Sequence, residues 1–295
     1  MTAKNKKKKP RKRNAASVAT LSSRIRRLCL WLLSSGALAS QLSSCSLGPL
    51  LDGWPQPAPS SGTVSSSSTS PPSHATGFQG CPQFFAGGIA PRVPSAPRLR
   101  ELCYKSFAIL HNGSTRTPVF VAERLNRQSL QQAQGLARTD RFFADARLPG
   151  AERSELSDYS GSGFARGHMA PAADMPTADA MAQSFSLANM VPQNPRHNSG
   201  PWARIEKDTR SYVMRARGDV YVITGPVYSA RTQKIGPGGV AVPAHLFKLV
   251  YDASTHRAWA HWQENSEQGK AGRPISYGEL EARLGMDLLP GVQID

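Results

Sequence analysis

Ser162-Gly163-Phe164-Ala165-Arg166-Gly167-His168-Met169-Ala170-Pro171-Ala172-Ala173-Asp174 opens a run that continues through Leu187-Ala188-Asn189-Met190-Val191-Pro192-Gln193-Asn194-Pro195 to Asn198, Trp202 and Glu206. Most of the chemistry of this 295-residue chain lies in it and in the stretch before it from Arg138. Taken singly, each residue has a plain reading. His168 alone is a structural or surface imidazole. Asn198 is a turn residue before a helix, and Glu206 is a solvated helix charge paired with Arg210 four residues on. Arg166 is a salt-bridge partner. Their value lies in the combination and its spacing, with 21 residues from His168 to Asn189, nine more to Asn198 and eight more to Glu206.

The flanks extend the pattern. Upstream stands Arg138-Thr139-Asp140-Arg141-Phe142-Phe143-Ala144-Asp145, followed by Asp158-Tyr159. Downstream come Val220-Tyr221-Val222-Ile223-Thr224-Gly225-Pro226 and Val242-Pro243-Ala244-His245-Leu246-Phe247-Lys248. Over roughly residues 100 to 290 the chain resembles the DNA/RNA non-specific endonuclease family. That family's motif is Asp-Arg-Gly-His, then Asn-x-x-x-Gln, then an Asn, a Trp and a Glu entering one helix. Here it reads Arg166-Gly167-His168, Asn189 with Gln193, Asn198, Trp202 and Glu206. One position departs, because Ala165 stands where the family carries the aspartate.

The resemblance implies an α+β fold of the ββα-metal (His-Me finger) type, with a mostly antiparallel sheet flanked by helices. It also implies an Mg²⁺-dependent endonuclease acting on DNA and RNA, with Mn²⁺ as an alternative metal and a homodimer as an open assembly. An imidazole with a pKa near 7 takes a proton from attacking water, which makes His168 the expected general base. Mg²⁺ keeps most of its waters, so a lone carboxamide ligand is reasonable. By resemblance that ligand is Asn198, with Glu206 accepting a hydrogen bond from metal-bound water. Arg138 and Arg166 suit charge neutralisation on phosphate, and Asn189 is expected to orient the metal end. If the helix reaches back to Asn198, positions 198, 202 and 206 share one face; Pro201 suits a first helical position and would leave Asn198 outside. Such a site contacts the backbone of nucleic acid rather than its bases. Two other readings stay open: a nuclease fold that binds without cutting, suggested by Ala165, and a phosphodiesterase acting on another anionic substrate.

Charge and composition describe the rest. The formal net charge is +16, yet eleven of the 36 basic residues lie in residues 1–27, and the first acid is Asp52. The remainder carries 25 basic against 20 acidic residues, so the high charge belongs mainly to a tail. After the basic stretch comes the apolar Leu28-Cys29-Leu30-Trp31-Leu32-Leu33, too short to span a bilayer. Leu42-Ser43-Ser44-Cys45 then resembles a lipobox, which would make Cys45 a lipidated first residue anchored to a membrane. Residues 1–44 are thus expected to be a signal peptide of an exported envelope lipoprotein, with secreted and mitochondrial destinations as alternatives. Residues 45–78, rich in Ser and Pro, read as a disordered tether, and 79–295 as the nuclease domain. Cys81 and Cys103 remain, a disulfide pair in an oxidising compartment and two buried thiols otherwise.

Within 79–295 the patterning predicts strands at Tyr104–Leu110, Pro118–Glu123, Gly218–Thr224 closed by Gly225-Pro226, Val240–Tyr251 and Arg257–Trp262. It predicts helices at Thr177–Phe185, Trp202–Arg215 and Tyr277–Leu284. Strands in hairpins with intervening helices indicate α+β.

Overall fold

Runs such as Phe107-Ala108-Ile109-Leu110 are apolar at every position because both faces of the sheet they join are covered. Phe107 and Ile109 point to one side, packing with Val121, Leu246, Phe185, Trp202 and Ile205. Ala108 and Leu110 point to the other, where they meet Phe120, Phe247, Phe85 and Leu280. The computed structural model describes residues 73–75 and 77–295. The expected signal segment, Cys45 and most of the expected tether lie outside the described residues.

The main sheet has seven antiparallel strands. In chain order they include β1 (Leu99–Cys103), β2 (Phe107–Asn112) and β3 (Thr117–Leu125). A separate hairpin follows, β4 (Ala165–His168) with β5 (Met190–Gln193). The sheet resumes with β6 (Val220–Val227), β7 (His245–Asp252), β8 (Arg257–Glu264) and β9 (Ile275–Ser276). The spatial order is β9-β8-β7-β6-β3-β2-β1. The helices that matter here are α1 (Arg127–Ala133), α2 (Ala178–Ser184), α3 (Ala203–Val213) and α4 (Tyr277–Leu284). The antiparallel sheet with helices on its faces is the expected α+β architecture. Cys81 and Cys103 form a disulfide with Cα atoms 5.8 Å apart, tying the segment before the sheet to the end of edge strand β1.

Three strand expectations need correction. The strand expected from Tyr104 begins at Phe107, because Tyr104 turns the chain: its N–H donates to the Phe107 carbonyl at 2.9 Å and its ring stacks on Phe107. The strand from Val220 runs through Gly225 and Pro226 to Val227. Its pairing with β3 ends at Thr224, so Pro226 faces no ladder partner on that side and only β7 on the other. The Val240–Tyr251 stretch is two strands, Val240–Ala241 in a small hairpin with Lys234–Ile235 and β7 in the main sheet, broken after Val242 and Pro243.

Candidate active site

The hairpin β4–β5 presents the Arg-Gly-His motif. Ala165 pairs with Gln193, Gly167 with Val191 and His168 with Met190. Gly167 is required by contact: a Cβ there would lie 2.7 Å from the Gln193 Cβ. Asn189 fastens the chain just after His168. Its Oδ1 accepts from the Ala170 N–H, and its Nδ2 donates to the Ala170 and Ser184 carbonyls, each at 2.9 Å.

His168 sits against two aromatic rings, 5.8 Å from Phe142 and 5.0 Å edge-on from Phe185 by ring centroids. Each ring also carries a guanidinium. Arg166 lies 4.0 Å above Phe142 and Arg138 5.3 Å above Phe185. Arg138 is further held by Asp140 at 3.1 Å. The Nε2 of His168 is buried with no hydrogen-bond partner, so Nδ1 is the ring nitrogen left to meet solvent.

The opposite wall is helical, and its start differs from the expectation. Asn194 caps a helix whose first residue is Pro195, its side chain accepting from the Arg196 and His197 N–H groups. Pro201 therefore stands inside the helix rather than at its first position, within a wide π-turn over Asn198–Trp202 that leads into α3. A π-turn admits one extra residue and changes the phase of everything before it. The helical residues that line the cleft are Asn198, Ala203, Glu206 and Arg210, spaced five, three and four apart. Trp202 is instead fully buried in the core, so positions 198, 202 and 206 do not share one exposed face.

His168, Arg138, Arg166, Asn198 and Glu206 all line one cleft of about 930 Å³, together with Ala165, Phe142 and Tyr159. Asn189 does not. It is fully buried and bonded to backbone, behind His168, so it acts on the site through the chain it holds and not by direct contact. The Glu206–Arg210 pair is also absent. Arg210 instead binds the buried Asp174 at 2.9 Å.

Burial and the nearby Arg138 and Arg166 charges hold the His168 imidazole down to about 3, where a pKa near 7 was expected; Asp140 acts in the other direction. Burial pushes the Glu206 carboxyl up to about 7, against the pull of Lys248, with Asp174 adding to the rise. Behind Glu206 lies a buried polar group that sequence reasoning missed. Glu123 has both carboxylate oxygens buried without a hydrogen-bond partner, and burial raises its pKa well above the usual range. Lys248 is 1% exposed, donates to Thr224 Oγ1 at 2.7 Å and lies 5.6 Å from the Trp202 ring centre. A lysine inside Leu246-Phe247-Lys248-Leu249-Val250 was the available signal.

The donor set fits a hydrated divalent cation. The Asn198 side chain lines the cleft and makes no hydrogen bond among the described residues. Among those residues no group of three or more His, Cys, Asp or Glu could cage a metal. One neutral oxygen with a carboxylate eight residues on suits Mg²⁺, which keeps its waters and takes few protein ligands.

A β-hairpin carrying the histidine, followed by a helix carrying the asparagine, defines the ββα-metal nuclease fold. The family model for DNA/RNA non-specific endonucleases matches residues 88–293, and the chain belongs to that family. It is 39% identical over 158 residues to Nuclease C1 of Cunninghamella echinulata var. echinulata, covering 50% of this chain and 62% of that protein. It is 35% identical over 159 residues to the mitochondrial nuclease EXOG of Homo sapiens, covering 50% and 43%. With the human mitochondrial endonuclease G the figures are 36% over 157 residues, 50% and 52%. The chain thus spans about half the length of these relatives, rising to 62% for the first. A chain of the solved EndoG/EndoGI complex superposes with a TM-score of 0.60 at 24% identity, covering 68% of this chain and 90% of that one, a likeness of fold.

Proposed function

We propose that the chain is a divalent-metal-dependent, sequence-non-specific endonuclease that hydrolyses phosphodiester bonds in DNA and RNA. The observation that supports it most is the meeting of His168, Arg138, Arg166, Asn198 and Glu206 on one cleft from three separate stretches of chain. Asn198 would hold Mg²⁺ (or Mn²⁺) directly and Glu206 through a water, and the bound ion would supply Lewis-acid stabilisation of the scissile phosphate and leaving oxygen.

The chain's own residues do the remainder. Arg138 and Arg166, fixed on their aromatic supports, receive the anionic phosphate between them. His168 is neutral, so Nδ1 can accept the proton of attacking water. Its low affinity for that proton reflects burial first and the two guanidinium charges after it; a phosphate seated between the arginines offsets those charges and makes the imidazole a better base. Arg210, held by Asp174, adds a third cation to the wall. Asn189 positions His168 by holding the backbone that follows it.

Residues 1–44 would direct the chain out of the cytosol, with a lipid on Cys45 and residues 45–78 as the tether; mitochondrial targeting is the other reading of the same basic segment. The full chain, incubated with plasmid DNA and with total RNA, should cut both with Mg²⁺, stop with EDTA and lose at least about a hundredfold in rate as His168→Ala. Cutting that survives EDTA or the substitution sinks the reading. Ala165 favours a second one, binding without turnover: it lines the cleft where the family motif has a carboxylate. Intact nucleic acid with every metal, and cutting restored by Ala165→Asp, would support that reading instead.

A further inference from the structure

Beside the reacting cleft lies a second groove of about 410 Å³, which shares Arg138, Ala173 and Arg210 with it. Its walls are apolar side chains from three elements: Leu130 and Ala133 of α1, Leu136 just after it, Met181 of α2, and Met214 at the end of α3. Gln134, Lys207 and Ser211 complete the lining. We infer that this groove accepts the base of the nucleoside adjoining the scissile phosphate. The inference rests on the nuclease reading and adds a subsite to it.

Three observations carry it. The groove is continuous with the phosphate cleft through the two arginines, so a strand whose phosphate lies against Arg138 and Arg210 directs a neighbouring nucleoside into it. Its lining is mixed in the manner a nucleotide needs, apolar where a base would lie and cationic at Lys207, Arg138 and Arg210 where the sugar-phosphate would leave. Two of its walls are methionines. An unbranched, polarisable thioether adapts to flat surfaces of different size, so purines and pyrimidines both fit and no base is selected. Gln134 offers both a donor and an acceptor to whichever edge arrives.

The test uses the full chain and an end-labelled single strand of mixed sequence carrying one abasic residue. The cleavage frequency at every bond is compared with that of the intact strand. A base-accepting groove predicts a drop of about fivefold or more at the bond on one side of the abasic residue, with the bond on the other side and all distant bonds unchanged. In Met214→Ser, and independently in Leu136→Ser, intact and abasic strands should approach the same frequency at that bond. The distant bonds, still cut in each variant but evenly more slowly than in the parent because each of them loses the same base contact, report that the variant is folded and active. Equal cutting of both strands at every bond by the parent overturns the subsite while leaving the nuclease reading intact. So does a drop that persists unchanged in both variants. No cutting at any bond overturns the nuclease reading itself and the subsite with it.

Discussion

Glu206 and His168 lie across one cleft with proton affinities displaced in opposite directions, about 7 for the carboxyl and about 3 for the imidazole. His168 is thus neutral well into the acid range, and of the two it is Glu206 that changes charge near pH 7 in the metal-free protein. Carbon-13 NMR should find the Glu206 carboxyl titrating near 7 without metal, and Mg²⁺ should lower the midpoint because a cation favours the carboxylate. A metal-free midpoint in the ordinary carboxylate range would contradict the burial assigned to it. Resemblance to the family motif named His168, Arg166, Asn198 and Glu206 together, because motif residues keep their separations whatever surrounds them. The displaced proton affinities were not legible there. They arise from burial first, and then from Arg138 beside His168 and Asp174 beside Glu206, none of which exists before folding brings these segments together. The backbone bonds of Asn189 were not legible either: an amide bonded to backbone and one free to hold a ligand look alike in sequence.

The helix that carries Asn198 and Glu206 depends on its π-turn, which sets the phase between them. Deleting Gly200 removes the extra residue and restores an ordinary turn, rotating Asn198 about the helix axis by roughly one residue's worth, about 100°. The expected result is a loss of at least about a hundredfold in activity, with the far-ultraviolet circular dichroism of the parent retained. Parental activity in that deletion would show that Asn198 is not held by this turn. Sequence patterning found α2, α3 and α4 within a few residues at each end. It placed the start of the site helix too late because Pro201 mimics a first helical position, whereas Pro195 occupies it behind the Asn194 cap. The hairpin β4–β5 escaped it as well, since Gly167 and Pro192 argue against strands of any length.

Across the whole molecule, the alternation of Phe107 and Ile109 against Ala108 and Leu110 divides the core into two layers, one under the cleft and one behind the sheet. The layer behind is closed by residues from both ends of the described chain, Phe78, Phe84 and Phe85 with Leu288 and Leu289, and the Cys81–Cys103 bond pins the leading segment there. Cross-linking residues 22 apart contributes about 3 kcal/mol by restricting the unfolded chain. Cys103→Ser should lower the urea midpoint accordingly, and reductant should do the same to the parent but not to the variant; a parent indifferent to reductant would show that the bond does not form. The α+β class was legible from hairpins and helices in alternation, but edge strand β1 was not, because only Leu102 of its five residues is buried and no alternation marks it. The position of Phe78 has a consequence for access. Phe78 packs in the layer behind the sheet, on the face turned away from His168, so the described domain begins at its rear. A fluorophore coupled at Gln79 should therefore leave the cleft on the opposite face unobstructed.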